Sequence, residues 1–297
     1  MMALPVWRSL LYVPVNVEKY VEKAHTRGAD CIQLDLEDSV PAGEKAHART
    51  LVADAAKRVR RGGADVVVRI NSPLESALLD LESCICGDVD AIAVTKTENA
   101  SYVQRIDEAI SRLESTRGLP ERRTRLIAMV ETPAAFFEMP SIARSSARLV
   151  AMNIGGEDFA LAAGMEPTEE TLLMPKQQMI FAARAAGLMP LGFLASVAGF
   201  GDWDAFRRMM RRSRQFGFMG AGCIHPGQVP IVNEEYSPTA EELELARKIV
   251  SENAKAESAG RASFAIDGKM IDVPVVERAR RLIERAAAIA AREARKR

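Results

Sequence analysis

Two hydrophobic rhythms alternate along the chain. Short apolar runs rich in β-branched residues end in polar or Gly/Pro positions, and longer segments of helical periodicity follow them. The predicted strands are SLLYVP (9–14), CIQLDLE (31–37), DVVVRIN (65–71), AIAVTK (91–96), RLIAMVET (125–132), RLVAMNIG (148–155), PLGFLASV (190–197) and FMGAGCIHP (218–226). Helical patterns fill 43–61, 101–118, 168–187 and 202–216. Strands separated by helices pair in parallel through crossovers. Eight units repeating at about 30 residues predict an α/β fold, a (β/α)8 TIM barrel, over residues 1–238. A doubly wound sheet is the alternative. It normally carries a Gly-rich nucleotide turn after its first strand, whereas here that strand runs into YVPVN.

Residues 239–297 stand outside the eight units. TAEELELARKIVSENAKAESAG (239–260) reads as a helix with a Thr cap and a glycine stop. In SFAIDGKMIDVP (263–274), Asp-Gly marks a turn between two short apolar runs, and a charged amphipathic helix (275–296) follows. The expectation is a C-terminal helical extension that serves as a lid and subunit-contact arm.

Composition narrows the class. The chain has 297 residues, 48% of them hydrophobic, and a formal net charge of zero. A balanced charge argues against a nucleic-acid binder, and the local clusters of Lys and Arg fall in helical patterns that read as solvated faces. Cys31, Cys84, Cys86 and Cys223 have neither disulfide-framework nor zinc-pair spacing, which fits a reducing cytoplasm. The opening MMALPVWRSLLYVP has neither the charge pattern nor the apolar length of a signal peptide or membrane span.

Barrel enzymes carry their chemistry at the C-terminal ends of the strands. Those ends supply Asp35, Glu37 and Asp38, then Arg69 and Asn71, Lys96 and Glu98, Glu131, the run Gly155–Gly156–Glu157–Asp158, Ser196 and His225. Glu131 and Asp158 come from neighbouring strands and are placed to converge. Two carboxylates with open positions suit Mg2+, and three scattered histidines do not make a zinc site. The plain alternative has Glu131 paired with a basic side chain and Asp158 capping the next helix. Read as an extended segment, Glu157 and Asp158 point to opposite sides, so only one meets the ion. Gly155 and Gly156 allow close backbone approach to a ligand. Arg69 ends a very apolar strand; its fork suits a carboxylate or developing oxyanion, or else a buried ion pair with a strand-end acid. His225 reads as a structural hydrogen-bonding group. Lys96 has the place of a Schiff-base lysine, which a metal route makes unnecessary.

The motifs RSLLYVP (8–14), DLEDSV (35–40), VRIN (68–71), ETPAA (131–135), GGEDFA (155–160), IHPGQ (224–228) and DGKMID (267–272), in this order, resemble the HpcH/HpaI aldolase superfamily in its citrate lyase β-subunit-like branch. The resemblance implies a (β/α)8 barrel assembling as a homotrimer or hexamer. It implies Mg2+ held by Glu131 and Asp158, a substrate-binding arginine at Arg69, and Asp272 brought in from the adjacent subunit's C-terminal arm. The implied reaction is cleavage or formation of a carbon–carbon bond in citramalyl-, malyl- or citryl-CoA, giving an acyl-CoA and a 2-keto acid. Mg2+ then acts as a Lewis acid on the emerging carbonyl, and Arg69 faces the thioester enolate. Asp272 is the candidate acid or base. Glu37, with Asp38, orients Arg69 or metal-bound water, or else belongs to a strand-end network without a catalytic role. Substrate contacts are expected from Arg69, Glu131, Gly156 and Asp158. The alternatives are an aldolase acting on free 2-keto acids and a carrier-protein-dependent citrate lyase β subunit inactive alone. No nucleic-acid or membrane partner is expected.

Overall fold

Side-chain alternation along parallel strands sorts the core into two layers. The strands are β1 (Ser9–Pro14), β2 (Cys31–Asp35), β3 (Asp65–Ile70), β4 (Ala91–Val94), β5 (Arg125–Val130), β6 (Leu149–Ile154), β7 (Met189–Pro190) and β8 (Ala221–Cys223). Successive residues point to opposite faces. Val66 and Val68 therefore pack outward with Ile32, Leu34 and Ile92 under the helices. Val67 packs inward with Leu10, Cys31, Ala93, Ile127 and Met129. The inner set fills the barrel lumen, and the outer set seals strands to helices.

This computed structural model describes residues 4–195, 201–258 and 263–296. Among them, the eight parallel strands are ordered β7-β6-β5-β4-β3-β2-β1-β8. The ring closes where Leu191 bridges Gly220 in parallel, with Met219 N–H donating to Pro190 O at 2.9 Å and Gly192 N–H to Gly220 O at 2.8 Å. The predicted (β/α)8 barrel is the observed fold. Its seam demands a glycine at 220, because a Cβ there would lie 1.8 Å from Trp7 O.

The paired strands are shorter than predicted. Residues 36–37, 71, 95–96, 131–132 and 155 lie beyond them, in the connections that lead from strand to helix. Of the run predicted at 190–197, the described residues 190–195 pair least. Pro190 cannot donate to a ladder, and Gly192, at φ +130°, takes a conformation that L side chains rarely adopt. Ser196 lies outside the described residues.

Around the barrel run α1 (Glu18–Ala24), α2 (Lys45–Val59), α3 (Leu74–Cys84), α4 (Ala100–Thr116), α5 (Pro133–Phe137), α6 (Met139–Ile142), α7 (Gly156–Ala163), α8 (Glu169–Ala185), α9 (Trp203–Phe216) and α10 (Gln228–Glu235). Side-chain caps begin several of them: Asn99 accepts from Tyr102 N–H, Thr132 from Ala135 N–H and Asp202 from Ala205 N–H. Each such cap is worth about 1 kcal/mol.

The chain separates into two compact units, Met1–Tyr236 and Ser237–Arg297. The second holds α11 (Ala240–Ser258), the antiparallel pair β9 (Phe264–Ile266) and β10 (Lys269–Ile271), and α12 (Val273–Arg295). Asp267 at φ +49° and Gly268 at φ +76° make the hairpin turn that the Asp-Gly pair predicted. Ala246, Ile249, Ile266, Ile271, Val276 and Ala279 form its own small core. Among the described residues no helix is long and apolar enough to cross a membrane.

Candidate active site

The period-two rule that fills the lumen also aims the polar groups. Ile127 and Met129 of β5 face inward, and Glu131 stands two residues further on. By the same count Arg69 follows Val67, Tyr12 follows Leu10, and Asn153 follows Ala151. All four line a cavity of about 920 Å3 at the C-terminal ends of the strands. Asp35, Gly155, Gly156, Glu157 and Asp158 share its wall.

Arg69 is held from several sides. Its Nε and Nη2 donate to the two oxygens of Asp35, both at 2.7 Å. Its Nη1 lies 2.9 Å from Glu37 Oε2 and 3.7 Å from Asp38 Oδ2, and its guanidinium carbon sits 5.1 Å from the centre of the Tyr12 ring. Burial opposes charge on both Arg69 and Asp35, but their mutual hydrogen bonds outweigh it. The arginine is raised further and the Asp35 carboxyl is lowered. Arg69 is thus ion-paired with strand-end acids, as one sequence reading expected, and it also lines the cavity.

Glu37 is buried and also takes a 2.7 Å hydrogen bond from Lys96 Nζ. Burial lifts its carboxyl above the ordinary range despite two cations. Lys96 is raised, chiefly by that hydrogen bond. Its backbone adopts φ +46°, and its N–H donates to Glu131 Oε2 at 2.7 Å.

Glu131 is the most perturbed carboxylate of the site. Burial pushes it up to about 8, and the nearby negative charges of Asp158 and Glu37 add to the push. It has no basic side-chain partner in contact among the described residues; the Lys96 backbone N–H is its donor. Gly155 makes room for it, since a Cβ at 155 would lie 2.7 Å from Glu131 Oε1. Asn153 Oδ1 is buried without a hydrogen-bond partner among the described residues. Buried anionic and carbonyl oxygens that repel or lack a donor are the chemistry a hard cation satisfies. Among the described residues no three His, Cys, Asp or Glu side chains form a metal cluster. Two carboxylates fit an ion that keeps several waters.

The turn before α7 corrects one expectation. Glu157 and Asp158 do not lie in an extended segment, because the helix already begins at Gly156 and both occupy its first turn. Gly155 is the N-cap and no side-chain cap is present, so Asp158 does not cap the helix. The charge of Asp158 acts on Glu131 and on Lys96. Glu157 acts on a different partner, Lys176.

His225 Nδ1 accepts from Gly227 N–H at 3.0 Å, and its ring stands 5.8 Å from the Trp203 ring. Asp272 belongs to the second unit, where its carboxylate caps α12 by accepting from Val275 N–H at 3.4 Å. The barrel thus gathers Arg69, Glu37, Glu131, Gly156 and Asp158, while Asp272 stands in a separate unit.

Several residues escaped the sequence reading. Tyr12 and Asn153 were findable by alternation from their apolar neighbours. Lys19, Lys23 and Arg27 line the cavity on and just after α1 and have no ion pair among the described residues. Lys176, on α8, is buried and lines the same cavity. A lysine inside a helical pattern gave no signal of this.

The HpcH/HpaI aldolase/citrate lyase family matches residues 8–226. Citrate lyase subunit beta of Haemophilus influenzae is 34% identical over 283 residues, covering 94% of this chain and 96% of that protein. The human mitochondrial citramalyl-CoA lyase is 29% identical over 296 residues, covering 95% and 86%. The crystal structure of CitE from Mycobacterium tuberculosis in complex with magnesium, acetoacetate and coenzyme A superposes with a TM-score of 0.74 at 26% identity, covering 96% and 99%. The chain belongs to the HpcH/HpaI aldolase/citrate lyase family.

Proposed function

We propose that this protein is a Mg2+-dependent carbon–carbon lyase. Its substrates are β-hydroxyacyl-CoA thioesters of the citramalyl-, malyl- or citryl-CoA kind, and its products an acyl-CoA and a 2-keto acid. One observation carries the reading: Glu131 is buried at the cavity beside the charge of Asp158, with an unpartnered Asn153 Oδ1 in the same wall. Glu131 and Asp158 are the residues that would hold the ion. When bound, Mg2+ supplies Lewis acidity at the oxygen that becomes the ketone.

The chain's own groups account for the rest. A base takes the hydroxyl proton, the carbon–carbon bond breaks, and its electron pair passes to the thioester as an enolate. Arg69, locked by Asp35 and Glu37, is a fixed positive charge for that oxygen. An acid then protonates the enolate carbon. Asp272 fills one of these proton roles, delivered by the neighbouring subunit of a homotrimer or hexamer. Residues 239–297 serve as lid and contact arm, and residues 1–238 as the catalytic barrel. The backbone N–H groups that open α7, from Gly156 on, suit a substrate carboxylate, whereas the Gly155 N–H is taken by Val130 O at 3.1 Å. Lys19, Lys23 and Arg27 suit the phosphates of CoA. The four free cysteines favour a cytoplasmic setting.

Purified protein with Mg2+ tests this directly. Pyruvate or glyoxylate should be released from the CoA thioesters and not from the free hydroxy acids. Turnover of free acids alone would make it a 2-keto acid aldolase. The likeness to citrate lyase subunit beta of Haemophilus influenzae favours a second reading, a subunit that works only on a carrier-bound acyl group. Copurification with an acyl carrier protein and no turnover of CoA thioesters would decide for it.

A further inference from the structure

Lys176 is a buried lysine that no charged side chain contacts among the described residues. Its residue is 4% exposed. Its Nζ donates to Phe193 O and Ala195 O, both at 2.7 Å, and stands 5.5 Å from the centre of the Phe193 ring. Both acceptors are neutral carbonyls. An ammonium has three donors, so one remains. No carboxylate among the described residues forms an ion pair with it, and Glu157 is the charged group that acts on it from a distance. Leaving a charge buried without a counter-ion is unfavourable.

The surroundings indicate what offsets that cost. Lys176 lines the substrate cavity together with Gly155 and Gly156. A Cβ at Gly156 would lie 3.4 Å from Lys176 Nζ, so the glycine leaves open the space between the ammonium and the start of α7. That helix begins with no side-chain cap, which leaves donors of its first turn for a ligand. A helix start and a buried ammonium facing one gap make a site for an anion.

We propose that Lys176 is a substrate-binding residue: its ammonium is the charge that recognises the carboxylate of the 2-keto acid at the Gly155–Gly156 turn. This rests on the lyase reading above, which supplies a carboxylate-bearing product. Burial lowers Lys176 to about 7 in the absence of an anion, and a bound carboxylate restores its charge. The same ammonium ties the chain after β7 to α8, so binding at the turn and the position of residues 193–195 are linked.

The test is equilibrium binding of pyruvate and of CoA, measured separately with Mg2+ present, on wild-type protein and Lys176→Gln. Glutamine can still donate to the two carbonyls but carries no charge. The expected result is a pyruvate affinity weakened by about ten- to a hundredfold, with CoA affinity unchanged. Equal pyruvate affinity in the variant overturns the proposal and leaves the lyase reading standing. Equal loss of both ligands marks Lys176 as structural and also overturns it. Wild-type protein that binds neither overturns the lyase reading and the proposal together. A crystal of wild-type protein with Mg2+ and pyruvate gives a check free of any variant. A carboxylate oxygen within hydrogen-bonding distance of Lys176 Nζ is expected, and a carboxylate elsewhere in the cavity overturns the assignment.

Discussion

Asp35 grips Arg69 through two parallel hydrogen bonds of 2.7 Å, one to each carboxylate oxygen. The two residues sit opposite each other in the register of β2 and β3, so the sheet itself sets the fork. A fork of this kind fixes both the position and the plane of the guanidinium.

Asp35→Asn should therefore damage more than stability. Breaking a buried pair by removing one charge costs about 3–5 kcal/mol, and Glu37 limits the loss by keeping its contact with Arg69. Thermal unfolding should show the drop. Arg69→Lys should keep the fold and lower kcat by about 10²–10³, the usual cost of losing an oxyanion donor. A lysine variant with full turnover would remove Arg69 from the chemistry.

Gly155 predicts a second variant. A Cβ at this position would lie 2.7 Å from Glu131 Oε1 and 2.8 Å from Glu131 Cγ, so Gly155→Ala must displace the carboxylate. Mg2+ affinity should fall by about tenfold or more, the scale of disturbing a ligand's support. Calorimetric titration reads this. An unchanged affinity would mean that Glu131 does not hold the ion.

Glu131 gives the protein a pH signature. Its folded pKa of about 8 lies above the ordinary 4.5. The protonated carboxyl therefore stabilises the metal-free fold fully below about pH 4.5, and that contribution is lost as pH rises through 8. Metal binding needs the carboxylate, so each pH unit below 8 should weaken Mg2+ binding by up to about tenfold. Titrations at pH 6.5 and 8.5, with unfolding curves in EDTA, check both signs. Mg2+ affinity that ignores pH over this range would contradict the placement of Glu131.

Lys96 separates metal from imine chemistry. Its Nζ is committed to Glu37 at 2.7 Å and its pKa is raised, not lowered as a Schiff-base lysine requires. Borohydride reduction in the presence of pyruvate should leave no adduct on Lys96 by mass spectrometry. A stable adduct there would favour an imine aldolase.

The barrel and most of its site were legible because two simple periodicities carry them. Strand spacing revealed the eight units, and alternation from Val67 and Met129 aims Arg69 and Glu131 inward. The turns were less legible. Taking Glu157 and Asp158 as extended missed that a helix starts at Gly156, since nothing local distinguishes a glycine pair ending a strand from one opening a helix. Strand β7 was overestimated because apolar content does not register the missing donor of Pro190 or the backbone of Gly192. Lys176 stayed hidden because its contacts are with carbonyls 17 and 19 residues away, and no periodicity encodes such a contact.

The central claim is that Asp158 and Glu131 together hold the catalytic ion. Calorimetric titration of Mg2+ into wild-type protein and into Asp158→Ala, with circular dichroism confirming an intact fold, tests it most directly. One saturable site in the wild type and none in the variant is the predicted result. Binding of Mg2+ by Asp158→Ala as tight as in the wild type would contradict it.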